Sequence, residues 1–264
     1  MSGRPIWYEL MTPDPGAVAP FYRATLGWEI PAAGHLMPNG SEYREIRRAD
    51  GGFAGGVLTL TGAMRDYGAR PDWKTYFEVD DVDAAVARAQ AKGASVHMPP
   101  MTMDGVGRMA MIADPQGASF YVMDPTPPPE NPDAQSDVFK SKAPGHAWWN
   151  ELETSDEPGA TAFYTGLFGW GAEQTMPMGE QGNYRFIEAG GEQIGAINPW
   201  LADYMTVGWV PYFGVADIEA AKAAAEGNGG TIDQDVHEVP GGDFIFIGKD
   251  PAGAPLGFVG PKGA

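Results

Sequence analysis

Two glutamates, Glu9 and Glu151, stand at the same place in two versions of one short string. The first reads Ile6-Trp-Tyr-Glu-Leu10 and the second Trp148-Trp-Asn-Glu-Leu152. Large and apolar residues alternate with a period of two, so each string is expected to be a strand. Trp7 and Glu9 then share one face, while Tyr8 and Leu10 share the other and should pack on a helix. A carboxylate beside an indole in a pocket would have its charged form disfavoured by desolvation. Such a group suits general acid or base work. Glu9 and Glu151 are therefore the candidate catalytic residues. The plainer alternative is a buried glutamate held by an arginine, and Arg44 and Arg185, on matched strands, are the natural partners.

The elements that would position these groups are duplicated. After each strand comes a helix pattern ending in Phe21-Tyr22 and Leu26-Gly27-Trp28, or in Phe163-Tyr164 and Phe168-Gly169-Trp170. Asp14-Pro15 opens the first helix as cap and first helical residue. Pro20 inside it should kink or shorten it. Short strands follow, among them Tyr43–Ile46 and Gly55–Leu60. A second strand–helix unit starts at Trp73, with Asp80 or Asp81 as cap and Gly93 as stop. Asp114-Pro-Gln-Gly117 makes a turn before the last strand, and Asp250-Pro-Ala-Gly253 repeats it. The expected division is residues 1–124, a proline-rich linker at 125–145, and residues 146–264.

The chain has no cysteine, so disulfides and thiolate metal sites are excluded. Its formal charge is −18, and residues 146–264 hold 17 Asp/Glu against 4 Lys/Arg. An acidic half repels phosphate backbones, so nucleic acid is not an expected partner. No stretch reaches the length of a membrane span and the start lacks a signal-peptide run, so the expected location is the cytoplasm.

The strand–helix–three-strand unit, the Phe-Tyr…Gly-Trp helix ending and the Asp-Pro-x-Gly turn, present in four units in order, resemble the vicinal oxygen chelate superfamily. That is the group of glyoxalase I, the bleomycin-resistance proteins and the extradiol dioxygenases. The resemblance implies an α+β fold, a tandem duplication of glyoxalase-like domains. Each would be two βαβββ units forming a cup-shaped, partly open β-barrel. It also implies a small-molecule ligand, and either a monomer with an internal pseudo-two-fold or a homodimer. In metal-using members, His, Gln or Glu from four strand positions bind a divalent ion that acts as a Lewis acid. Three of those positions carry Trp7 and Trp149, Lys74 and Val210, and Tyr121 and Gly257 here. The fourth falls on glycine-rich strands without His or carboxylate. The ligand positions thus do not support a divalent metal and no cofactor is expected, with a non-standard divalent site using Glu9 or Glu151 as the alternative left open. His35, His97, His146 and His237 do not match between copies and are read as surface or loop residues.

Strand alternation, with the cup the resemblance implies, nominates Trp7, Tyr43, Arg44, Lys74, Tyr76, Tyr121, Trp149, Tyr184, Arg185 and Tyr212 as substrate-binding residues. Arg108 joins them as a contact for an anionic group, in one copy only. Trp73 and Trp209 extend the aromatic set, and Met98, Met101, Met103, Met109 and Met111 would add an adaptable wall; for each of these residues taken alone a place in the core is the favoured reading. Three functions stay open: an enzyme, either lyase/isomerase or dioxygenase/hydroxylase-like; a non-catalytic binding or sequestering protein; and a module whose cups are filled by side chains.

Overall fold

The computed structural model describes residues 3–37, 39–199 and 205–263. The first copy runs β1 (Pro5–Thr12), α1 (Pro15–Leu26), β2 (His35–Leu36), β3 (Glu42–Arg47), β4 (Phe53–Thr59), a short α2 (Gly62–Asp66), β5 (Asp72–Glu78), α3 (Val82–Ala91), β6 (Ser95–Met103), β7 (Gly107–Ala113) and β8 (Ser119–Pro125). The second runs β9 (Ala147–Glu153), α4 (Glu157–Phe168), β10 (Thr175–Pro177), β11 (Asn183–Ala189), β12 (Glu192–Asn198), β13 (Gly208–Gly214), α5 (Ile218–Gly227), β14 (Thr231–Glu238), β15 (Phe244–Lys249) and β16 (Pro255–Gly260). Each copy is two βαβββ units.

Both copies make an eight-stranded sheet of the same strand order, β2-β3-β4-β1-β5-β8-β7-β6 and β10-β11-β12-β9-β13-β16-β15-β14. The opening strand of a unit lies parallel to its last strand, as β1 does to β4 and β9 to β12. β5 lies parallel to β8 and β13 to β16 in the same way, and the strands within each unit otherwise join as antiparallel hairpins such as β7 with β8. This is the α+β tandem glyoxalase-like fold that the resemblance implies, and it bears out the duplication read from the repeat. No described helix is long and apolar enough to cross a membrane.

The recurring motifs have local causes. Asp14, Asp81, Asp156 and Asp217 each cap a helix through backbone N–H groups. Gly27 and Gly169 end α1 and α4 at φ 67° and 74°, in the left-handed region where a side chain is disfavoured. Pro20 does not shorten α1, which matches α4 at 12 residues, because its ring lies on the exposed face. In the two Asp-Pro-x-Gly turns, Asp114 accepts from the Gln116 and Ala118 amides and Asp250 from those of Ala252 and Ala254, all at 2.9 Å.

By packing, the chain forms two compact units that each draw on both copies. One comprises Met1–Ile6, Thr75–Ser136 and Asn150–Trp209; the other comprises Trp7–Lys74, Asp137–Trp149 and Val210–Ala264. In the second of these, Tyr22 stacks on Trp28, and Trp28 and Trp73 meet Phe213. In the first, the equivalent Tyr164 stacks on Trp170, and Phe77 meets both Trp170 and Trp209. Trp73 and Trp209 are thus core residues, 1% and 2% exposed, rather than ligand-facing ones. Within the stretch expected as linker, Val138 and Phe139 are buried, and Asp137 pairs with the buried Arg48 at 2.6 Å. His146, expected as a surface or loop residue, lies in the loop before β9 but is buried beside this pair, with Nδ1 3.2 Å from the Pro144 carbonyl.

Candidate functional site: a buried acid pair on the second-copy strand

Strand alternation places Tyr8 and Leu10 in the core, both fully buried, with the Tyr8 ring on Phe213. The other face of β1 carries Trp7, Glu9 and Met11. Glu9 and Glu151 are themselves 3% and 6% exposed. In the first copy the Trp7 indole N–H donates to the Tyr43 hydroxyl at 2.6 Å. The Tyr43 ring has room because Gly56, the residue opposite Glu9, has no side chain; a Cβ there would fall 2.1 Å from the hydroxyl. Met11 and its strand partner Leu58 join Leu60 in an apolar cluster covered by Tyr43, Met64 and Ala69.

The second copy builds something different on the same scaffold. Tyr184, at the place of Tyr43, donates its hydroxyl hydrogen to Glu151 Oε2 in a short contact. Two residues on, where the first copy has Met11, stands Glu153, fully buried and on the same face of β9 as Glu151. Asn198 lies opposite Glu153 in the parallel β9–β12 register, where the first copy has Leu58. Its amide nitrogen reaches Glu153 Oε1 at 3.3 Å and Glu151 Oε1 at 3.5 Å. Oε2 of Glu153 is buried without a hydrogen-bond partner. Burial, and after it the charge and hydrogen bond of Glu151, push the Glu153 pKa far above the ordinary carboxylate range; the Asn198 bond opposes this. Sequence reasoning missed Glu153 and Asn198. The available signal was the i, i+2 spacing of Glu151 and Glu153 on a strand already identified.

The arginines proposed as partners are engaged elsewhere. Arg44 donates to Glu42 at 2.7 Å and to the Pro31 carbonyl at 3.1 Å. Arg185 donates to Glu157, the first residue of α4, and to the Ala172 carbonyl. Neither is a recorded partner of Glu9 or Glu151, and alternation explains why: each follows directly after Tyr43 or Tyr184 and points to the opposite face. Arg108 forks onto Asp83 of α3 at 2.6 and 2.7 Å and also meets Thr102. It therefore faces the helix side of its sheet.

Lys74 pairs with Asp72 on its own strand. Tyr76 and Tyr121, cross-strand neighbours, stack at 4.0 Å with a 10° interplanar angle. Met98 lies opposite Met111, and Met109 lies opposite both Met101 and Met123. Tyr212 is buried over Gly257, whose missing side chain its ring occupies. Trp149 is half-buried beside Glu151 in sequence. Cavities of about 350 and 470 Å³ occur among the described residues. The first is lined by Arg48, Asp50 and the Gly214–Ala216 backbone, the second by α1 residues and Asn228, and neither adjoins a candidate residue.

The residues at the metal-ligand positions do not fit a divalent ion. Trp149, Val210 and Gly257 have no ligand atom, and the Trp7 nitrogen is an N–H already donating to Tyr43. No group of three or more His, Cys, Asp or Glu side chains converges among the described residues.

Comparison with known proteins agrees with this architecture. CFP32 of Mycobacterium tuberculosis, which carries a provisional glyoxylase name, is 28% identical over 96% of this chain and 92% of its own. The anthracycline biosynthesis protein DnrV of Streptomyces peucetius is 29% identical over 96% and 91%. Among solved structures, the 2,3-dioxygenase LapB of Pseudomonas sp. KL28 superposes with a TM-score of 0.62 at 14% identity, covering 98% of this chain and 92% of that one. The Mn(II)-bound glyoxalase of Novosphingobium aromaticivorans gives 0.62 at 14%, covering 98% and 82%. At these identities the structural matches speak to fold alone. The family model for Glyoxalase/Bleomycin resistance protein/Dioxygenase matches residues 4–122 and 147–258, once over each copy, and the chain therefore belongs to that superfamily.

Proposed function

We propose that the chain is a small-molecule enzyme of this superfamily in which Glu151 is the acid/base and Tyr184 fixes it. The observation behind this is the Tyr184–Glu151–Asn198–Glu153 assembly, which the first copy lacks. Glu151 keeps 6% of its surface and Glu153 none, so Glu151 is the carboxylate that a ligand can touch. A carboxylate so placed suits a lyase or isomerase step. It would take a proton from carbon next to a carbonyl and return it at a neighbouring atom, with no net change in electrons. Tyr184 supplies aromatic surface beside it, which fits a flat, carbonyl-bearing ligand. The anthracycline relatives make fused-ring aromatic ketones and quinones the first class to try.

One observation favours a second reading for the first copy. Beside Glu9, its matching face carries Met11, Leu58 and Leu60 under Tyr43 where the second copy has a second carboxyl and its amide, and the Trp7 N–H is bonded to Tyr43. That face suits binding without chemistry.

The test is a thermal-shift screen with aromatic ketones and quinones, followed by solvent-deuterium incorporation into any ligand that binds. Wild type should exchange a carbon-bound hydrogen. Glu151→Gln should still bind but exchange at least about 100-fold more slowly, the usual scale for a lost general base. Binding without exchange in wild type would make the protein a sequestering one.

A further inference from the structure

We propose that Glu153 is held as a neutral carboxylic acid whose O–H serves Glu151, so that the pair carries one proton and Glu151 is the ionised member. This deepens the reading of Glu151 given above and makes Glu153 a positioning residue behind it.

The donor count decides which carboxyl is charged. Glu151 receives the Tyr184 hydroxyl on one oxygen and the Asn198 amide on the other. Glu153 receives only Asn198, on Oε1, and its Oε2 is dry and without a partner. An ionised carboxylate with an unsolvated oxygen is strongly disfavoured, and two anions side by side are more so. A proton on Glu153 removes both costs, and Glu151, bound to the same Asn198 amide, is the carboxylate beside it. Among the described residues the groups acting on Glu153 are Glu151 and Asn198, and neither is a cation. Arg185 is on the far face of β11 with Glu157, and Tyr184 itself is a donor to Glu151.

The first copy shows that the fold does not require this arrangement. There Met11 replaces Glu153, Leu58 replaces Asn198, and the Tyr43 hydroxyl accepts from Trp7. Two paired replacements across one strand register, Glu153 for Met11 and Asn198 for Leu58, mark a chemical specialisation of the second copy. The proton on Glu153 keeps the working carboxylate fixed; when Glu151 takes a proton from a ligand the pair holds two, and it returns to one when Glu151 gives that proton back.

The experiment is a carbon-13 NMR titration of side-chain carboxyl carbons in full-length protein labelled at glutamate, with no ligand added. Wild type should show one glutamate carboxyl still in its protonated position from about pH 6 to about pH 9, while others have ionised. That signal should disappear in Glu153→Gln, or in Glu153→Met, the first-copy residue, should Gln fail to fold. The proposal is overturned if every glutamate ionises in the ordinary range, or if the protonated signal survives in both variants. It is also overturned if elemental analysis finds one divalent metal per chain and chelation changes the carboxyl spectrum of wild type but not of Glu153→Gln. Because no ligand is used, this result is independent of turnover. Loss of the acid/base reading, through an active Glu151→Gln, would leave the titration as it stands.

Discussion

The hydroxyl of Tyr22 donates to Asp250 Oδ2 at 2.9 Å across 228 residues of chain, and Tyr164 makes the mirror-image bond to Asp114 at 3.0 Å. Each tyrosine also accepts from a tryptophan, Trp73 at 3.2 Å and Trp209 at 3.0 Å. The helix-ending Phe-Tyr of one copy is thus bound to the Asp-Pro-x-Gly turn of the other. Burial pushes both tyrosine pKa values well up and those of both aspartates up as well, with the turn amides and the tyrosine hydroxyl restraining the latter. Replacing Tyr22 by Phe leaves a buried Asp250 oxygen and the Trp73 N–H without this partner. The expected loss is about 1–3 kcal/mol of unfolding free energy, measured by denaturant titration. Tyr164→Phe should cost a similar amount, and no loss in either would remove the bond from the account.

The same bonds make each copy dependent on the other. A chain ending at residue 145 lacks Asp250, Phe213 and Phe258, against which Tyr22, Trp28 and Phe21 pack. Such a fragment should either remain unfolded or pair with a second copy of itself. Gel filtration with circular dichroism checks this, and a stable folded monomer would contradict it.

Arg185 and Arg108 separate architecture from ligand binding. Arg185→Met strands the nearly buried Glu157 and should destabilise by about 1–3 kcal/mol, with unchanged binding of any ligand that engages Glu151. Arg108→Ala removes a solvent-exposed fork to Asp83 and should leave both thermal stability and binding unchanged. A ligand dissociation constant raised by either change would return that arginine to the site.

Met11 offers the reverse experiment. Met11→Glu places a carboxyl in the Met11, Leu58 and Leu60 cluster without an amide opposite it. The substitution should destabilise by more than about 2 kcal/mol near neutral pH. Adding Leu58→Asn should restore part of that, because it supplies the donor Asn198 provides in the second copy. Unfolding curves of the single and double variants check the coupling.

Much of the fold is written locally, and much of the site is not. The repeated strings, capping aspartates and left-handed glycines mark strands, helices and turns through contacts within a few residues. The burial of Glu9 and Glu151 follows from the period of the strand. The arginine assignments failed on the same rule, since Arg44 and Arg185 cannot share a face with Tyr43 and Tyr184. Glu153 is marked only by its i, i+2 spacing from Glu151, and its pairing with Asn198 is visible only once β12 is known to run parallel beside β9. Nor does the chain announce that Tyr22 belongs with Asp250, because nothing nearby in sequence encodes a contact of that span.

The central claim is that the second copy keeps one proton on a dry carboxyl beside Glu151, and the pH dependence of stability tests it most directly. Native Glu153 holds its proton well above the value near 4.5 at which the unfolded chain releases it. The unfolded state therefore binds fewer protons, and this contribution to stability, fully present below that value, is lost as pH rises. Wild type should lose stability relative to Glu153→Gln by up to about 1.4 kcal/mol per pH unit above about pH 5, and the gap should stay constant below about pH 4. A difference between the two proteins that stays flat from acid to alkaline pH would contradict the account.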